Sequence, residues 1–202
     1  WQKSPKHGGG GGTAKSTAWE AGHRVMGLAL WRGRIMPRVS HALTSMIDIV
    51  PTFAALAGVP LPSDRHYDGI DLSPLLFNRT HEGHTFLFHP SSEKEVPAMR
   101  YKRFKAHFRT FGSLPCRKAD GTHDPQGPSV NHDPPLVFDL EKDPAESEPI
   151  NPGAEVMQII MDQHQAFWKD VNSSLRSTTD FSECTGDESC RPCSNPSSAC
   201  CR

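Results

Sequence analysis

A chain of 202 residues is long enough for one domain with a core of its own, or for a piece of a larger one. Hydrophobic residues make up 36% and charged residues 22%, with 18 Pro and 16 Gly, so a globular middle with irregular ends is expected rather than a disordered chain. The net charge of −1 leaves no basic surplus for a phosphate backbone, which argues against a nucleic-acid partner, and no apolar run approaches the ~20 residues of a membrane span.

Residues 1–14 are polar and rich in glycine from Gly8 to Gly12, the composition of a loop or linker. A phosphate cradle would need Gly-Lys-Ser/Thr after a strand, and that spacing is missing. The run Arg24-Val25-Met26-Gly27-Leu28-Ala29-Leu30-Trp31 predicts a strand buried on both faces, as in a parallel sheet. From Ser40 to Gly58, apolar residues recur at three- and four-residue steps through Leu43, Met46, Ile47, Val50, Phe53, Leu56 and Ala57. This is an amphipathic helix closed by Gly58, and Pro51 should kink or split it. Residues 59–75 read as an extended loop broken by Pro60, Pro62 and Pro74.

Shorter segments follow. Thr85–His89 is a predicted strand, Met99–Tyr101 and Lys105–Thr110 form a hairpin around Arg103, and Leu136–Leu140 is another strand. Short successive strands favour an antiparallel sheet. Residues 116–133 read as a polar loop. Residues 154–171 predict a packing helix, with Val156, Ile159, Ile160, Gln163, Phe167 and Val171 along one face. The sum is a mixed α/β chain.

Cysteines crowd the end: Cys184, Cys190, Cys193, Cys200 and Cys201, with Cys116 alone. An even count in a Ser/Pro-rich tail suits disulfides formed in an oxidising compartment. Zinc at the Cys190/Cys193 pair is the alternative, though neither a second C-x-x-C nor a tail His supports it. Two N-x-S/T triplets, at Asn78 and Asn172, are glycosylation candidates that agree with secretion.

Several segments resemble the sulfatase family, in order. Lys15-Ser16-Thr17-Ala18-Trp19-Glu20-Ala21-Gly22-His23-Arg24 is similar to the family's Lys-x-Thr-Thr-aromatic-Glu-Gly-Gly-x-Arg, and the run after it ends in Trp31-Arg32-Gly33 where the family has Trp-Pro-Gly. Asp48-Ile49-Val50-Pro51-Thr52, Asp68-Gly69-Ile70-Asp71-Leu72-Ser73-Pro74-Leu75-Leu76, Lys105-Ala106-His107-Phe108 and Phe138-Asp139-Leu140 with Asp143-Pro144 and Glu146 complete the series. Together they cover about residues 13–150. Gly22-His23-Arg24-Val25, Leu87-Phe88-His89-Pro90 and the cysteine-rich end resemble the arylsulfatase G branch more than the arylsulfatase A branch.

The resemblance implies the C-terminal part of the sulfatase, alkaline-phosphatase-like α/β fold. Residues 1–80 would end the large central-sheet domain, 81–172 would form a small antiparallel sheet with its packing helix, and 173–202 a cysteine-rich tail. It implies a sulfuric ester hydrolase acting on a sulfate ester, either a sulfated glycan or an aryl sulfate, in a lysosomal or secreted setting. Formylglycine would be the nucleophile and calcium the metal, both held by residues upstream in the family. Asp48, Asp68 and Asp71 are not the family's metal ligands. The chain begins at Trp1 rather than Met and shows no signal peptide, which suggests a fragment, and with no credible C/S-x-P-x-R motif it is expected to be inactive alone, since a lone lysine cannot replace nucleophile and metal. Lys15 is the one pocket residue the resemblance assigns here: its ammonium would face the negative sulfate.

Other residues carry plainer expectations. Glu20 and Arg24 read as a structural ion pair, His107 as a core histidine, and Asp48, Asp139 and Asp143 as turn or helix-end chemistry. His81, His84 and His89 read as chance clustering rather than a metal site. Ala21 stands where the family has Gly and would be strained if the position needs a positive φ. Ala18 removes a family hydroxyl, and Met26 and Arg32 replace prolines. Thr13 stands where arylsulfatase A has a Cys, so Cys116 needs another partner or stays free. A non-catalytic alternative binds sulfated glycans, or a partner sulfatase, with Arg100, Lys102, Arg103, Lys105 and Arg109 on a solvated strand face.

Overall fold

The computed structural model describes residues 17–91, 95–110 and 129–173. The chain divides into two compact units, Trp1–His164 and Gln165–Arg202. Four antiparallel strands organise the first: β1 (Phe86–His89), β2 (Ala98–Tyr101), β3 (Phe104–Thr110) and β4 (Val130–Asp139), in the order β1-β2-β3-β4. The predicted hairpin is β2–β3, closed at Lys102 and Arg103, with Lys102 at a φ of 52°.

Register explains the core. Phe88 pairs with Met99, Met99 with Ala106, and Ala106 with Val137, so these residues share one face. Ile160 of α4 (Ala154–Ser173) packs into that face, and Val156, Met157, Phe104 and Phe108 surround it. The ring of Phe108 stacks on His164 at 3.7 Å between centroids, and His164 Nε2 lies 3.2 Å from the carbonyl oxygen of Val96. The predicted packing helix is therefore present, and its apolar stripe covers the sheet. Of the second unit, residues 165–173 are described; they are helical, and Phe167 and Trp168 meet edge to face.

Before the sheet come three short helices: α1 (Glu20–His23), α2 (Ile49–Ala57) and α3 (Ser73–Leu76). The helix predicted from Ser40 begins later, as a single 3-10 turn (Met46–Asp48) running into α2. Pro51 neither kinks nor splits it, because it falls in the first turn, where backbone N–H groups have no helical acceptor. Gly58 ends α2 at a φ of 67°, as expected of a left-handed C-terminal residue.

The strand predicted at 24–31 does not form. Residues 24–30 have no strand partner among the described residues, and their side chains are bare: Met26 is 100% and Leu28 97% exposed. An apolar run becomes a buried strand only when neighbouring strands accept its backbone groups, and the one sheet described here leaves it out. The apolar side of α2 is open too, with Phe53 66% and Val50 57% exposed.

Candidate functional site

The opposite face of the sheet is polar, yet buried. Arg100, Lys105 and Phe138 lie side by side across β2, β3 and β4, and Ala98, His107 and Leu136 form the next row. Strand β3 is buried on both sides: Ala106 points to α4, while Lys105 and His107 point to α1 and to the turn after β4.

Two carboxylates meet these cations. Glu20, at the start of α1, accepts a hydrogen bond from Lys105 Nζ at 2.9 Å and lies 3.7 Å from both Arg100 and His23. Glu146 accepts the Glu20 backbone N–H at 2.6 Å, lies 2.8 Å from His107 Nε2 and 3.4 Å from Lys105 Nζ. Glu146 sits at a φ of 53°, an uncommon region for a side-chain-bearing residue, and its three partners hold it there. Trp19 roofs the cluster, 4.3 Å from the His107 ring and 5.7 Å from that of Phe138.

Electrostatics follows from the crowding. Burial raises the carboxyl of Glu20, but Lys105, Arg100 and His23 together hold it below its usual range. Burial pushes Lys105 down, opposed by Glu146 and Glu20, and does the same to His107 against the pull of Glu146. His89, its ring tilted against that of His23 at 4.3 Å, is pushed down to about 2 by burial and by the charges of Lys105, His23 and Arg100. Its Nε2 has no hydrogen-bond partner among the described residues.

These histidines give the chain a pH dependence with a definite sign. His23, His89, His107 and His164 all have folded values below the ordinary 6.5. As pH falls through about 6.5, the unfolded chain takes up protons before the folded one. Stability is thus greatest above that value and declines toward acid, with Glu20 adding to the loss below its ordinary 4.5. A thermal unfolding midpoint lower at about pH 5 than at about pH 7.5 is expected; an equal or higher midpoint would contradict histidines held neutral by the fold.

A second polar hub lies at Asp48, which is fully buried. It accepts the Ser45 N–H at 2.7 Å and the Ile70 N–H at 2.9 Å, and lies 2.6 Å from His84 Nε2. The loops come so close that a Cβ on Gly69 would stand 2.1 Å from the Ile47 carbonyl oxygen. Asp48 therefore has the helix-end role expected of it. Asp139 and Asp143 do the same for the turn after β4, Asp143 accepting the N–H groups of Ser147 and Glu148.

Two expectations are corrected here. Glu20 pairs with Lys105 and Arg100 rather than with Arg24, because α1 ends at His23 and Arg24 caps it in an extended conformation. The strand face with Arg100, Lys105 and Arg109 is not solvated. Lys105 is fully buried, Arg100 lies against Glu20, Arg109 pairs with Glu95, and Arg103 faces Asp139. Lys102 alone of the five is exposed without a carboxylate among the described residues, lying over the Tyr101 ring.

The remaining expectations are placed as follows. His84 belongs to Asp48 and His89 to His23, so the histidines of this stretch do not converge. Ala21 lies within α1 and is not a positive-φ residue, so it carries no strain. Asn78 is exposed at a φ of 59°, two residues after α3, and Asn172 falls within α4. Lys15, Cys116, Cys184, Cys190, Cys193, Cys200 and Cys201 lie outside the described residues. Among the described residues, no three His, Cys, Asp or Glu side chains are grouped to hold a metal ion, and no helix is long and apolar enough to cross a membrane. The cluster can order chain, tying α1 to β3 and to the turn after β4.

Comparison with known proteins identifies the fold this cluster belongs to. A family model described as the C-terminal region of aryl-sulfatase matches residues 82–202. Human (Homo sapiens) arylsulfatase G is 40% identical over 96% of this chain and 37% of its own length. Arylsulfatase A of Bos taurus is 43% identical, over 70% of this chain and 29% of its own. The resemblance to the G branch thus runs through more of the sequence. In structure, the PsFucS1 sulfatase from Pseudoalteromonas sp. superposes with a TM-score of 0.63 at 28% identity, over 83% of this chain and 33% of that one. The chain spans about a third of the length of these relatives. It belongs to the sulfatase family, with an α/β fold whose antiparallel sheet and packing helix are the family's C-terminal region.

Proposed function

We propose that this chain is the C-terminal part of a sulfuric ester hydrolase of arylsulfatase type, inactive alone, whose contribution to the pocket is Lys15. The observation that carries the reading is the 40% identity over 96% of the chain, which runs through the Lys15–Arg24 motif and the sheet alike. In the complete enzyme, a formylglycine and a calcium ion would come from the preceding segment. The described residues offer calcium no grouped ligands.

The buried cluster then has a purpose. Thr17, Trp19 and Glu20 are all buried, and Glu20 is tied to β3 and to the turn after β4. Lys15 lies two residues before Thr17 in the chain. The network would fix the stem on which the pocket lysine stands, since a charge-stabilising group is effective only when it is held in place. The bare run of Val25, Leu28 and Leu30 and the open side of α2 would pack on the large domain that residues 1–80 complete, with 81–172 as the smaller domain and 173–202 as a disulfide-stapled tail. Sequons at Asn78 and Asn172 and the tail cysteines support a lysosomal or secreted glycoprotein. A sulfated glycan or aryl sulfate would be the substrate.

Aryl sulfate hydrolysis tests the reading. The 202-residue chain should show no turnover. The chain joined to its preceding segment should turn over with calcium, and Lys15→Ala should lower kcat by about 10²–10³, the effect of removing one charge-stabilising donor. Turnover by the chain alone, or unchanged kcat in Lys15→Ala, would refute it.

A further inference from the structure

One surface is basic, aromatic and unused by the reading above. The turn Trp31–Ile35 folds back on itself, with the Arg34 and Ile35 N–H groups donating to the Trp31 carbonyl at 3.0 and 2.9 Å. It meets the end of α3: the Trp31 and Phe77 rings lie 6.0 Å apart, and Arg38 donates to the Leu75 carbonyl across the junction. The Arg34 guanidinium carbon lies 5.3 Å from the Trp31 centroid and 5.8 Å from that of Phe77, and that of Arg79 lies 5.6 Å from Phe77.

Charge balance sets this surface apart. Between Glu20 and Asp48 the chain has no acid but carries Arg24, Arg32, Arg34 and Arg38. Among the described residues, Arg32, Arg34 and Arg79 pair with no carboxylate, and all three are exposed. The apolar run before Trp31 is suited to burial. Arg32 and Arg34 are not, because burying unpaired guanidinium groups is costly. With Arg79 they favour water or an anion as partner, although Met36 and Val39 beyond them are exposed too.

We propose that the Trp31–Arg34–Phe77–Arg79 surface binds a sulfated polysaccharide. Guanidinium groups held near aromatic rings, exposed and without a carboxylate among the described residues, have N–H edges that can match two oxygens of a sulfate group at once. The Trp31 ring, 42% exposed, offers an apolar face for the C–H side of a sugar. The surface would hold a polymeric substrate while sulfate is removed elsewhere. The choice of sulfate over other anions rests on the sulfatase reading; the site itself rests on the arginines and rings.

Heparin binding by the 202-residue chain is the test, measured by calorimetry after endoglycosidase treatment, since Asn78 lies between Phe77 and Arg79. The double variant R34A/R79A should weaken binding by about tenfold or more, with an unchanged thermal midpoint. Arg103→Ala, on the β2–β3 turn, should leave it unchanged. Hyaluronan, which carries carboxylates and no sulfate, should bind much more weakly. Equal heparin affinity for R34A/R79A and the parent, or equal affinity for hyaluronan, would overturn the proposal. Arginine-dependent heparin binding by a chain whose extended form cleaves no sulfate ester would leave this surface standing and remove the enzymatic reading; sulfate cleavage without such binding would do the reverse.

Discussion

Replacing Lys105 by Met should destabilise the fold by about 3–5 kcal/mol, the loss typical of removing one partner from a buried ion pair. Lys105 is fully buried, and its ammonium is the cation closest to Glu20 and Glu146. Without it, the Glu20 and Glu146 carboxylates share a dry site with only His107 beside Glu146, and His23 and Arg100, each 3.7 Å from Glu20, for compensation. Burial already lowers the affinity of Lys105 for its proton, so the ammonium persists there because two carboxylates face it. Urea unfolding of the variant and the parent measures the difference. A loss under about 1 kcal/mol would mean the network carries no more than a surface pair does. Converting the whole set, with Lys105→Met, Glu20→Gln and Glu146→Gln together, should recover part of the loss, because the two uncompensated carboxylates are gone and Arg100 alone is left without its carboxylate. In the complete enzyme, the single variant should also lower sulfate ester turnover if the network holds the stem of Lys15.

The same residue shows where the sequence stops informing. Alternation along Phe104–Thr110 correctly separates two sets of side chains, and the β2–β3 hairpin follows from it. Alternation does not say which set is buried, and charge suggested the wrong answer: the set with Lys105 is covered by Trp19, Glu20 and Glu146. Glu20 lies 85 positions from Lys105 and 126 from Glu146 for its backbone contact, so no local spacing points to either. Arg24, four residues away, was the visible partner and the wrong one. Glu146 was legible only as part of a turn motif, since an acid after Asp-Pro reads as turn chemistry. The run at 24–31 failed for a related reason. A strand buried on both faces is defined by its neighbours, and nothing within an eight-residue apolar stretch supplies them. Long, strongly periodic segments did better: α4 and its Ile160 face follow from Ala154 onward as expected.

Asp48→Ala should cost about 3–5 kcal/mol, from two half-buried N–H groups and one histidine left without their acceptor, each toward the lower part of about 1–3 kcal/mol. The carboxylate is fully buried, and its two oxygens hold three separate pieces of chain: Ser45 before α2, Ile70 in the loop that leads to α3, and His84 before β1. Water cannot easily replace it, because the loops touch; Gly69 and Gly83 each leave no room for a Cβ, which would stand 2.1 Å from the carbonyl oxygens of Ile47 and Leu43. Asp48→Asn should cost less than Asp48→Ala, since one amide oxygen can still accept while the NH2 faces donors. Gly69→Ala should resemble Asp48→Ala in effect, because it forces the same loop away from Ile47 by sterics instead of by lost bonds. Urea midpoints for the three variants test this order. If Asp48→Asn proved as damaging as Asp48→Ala, the stabilisation would lie in the charge opposite His84 more than in the count of hydrogen bonds.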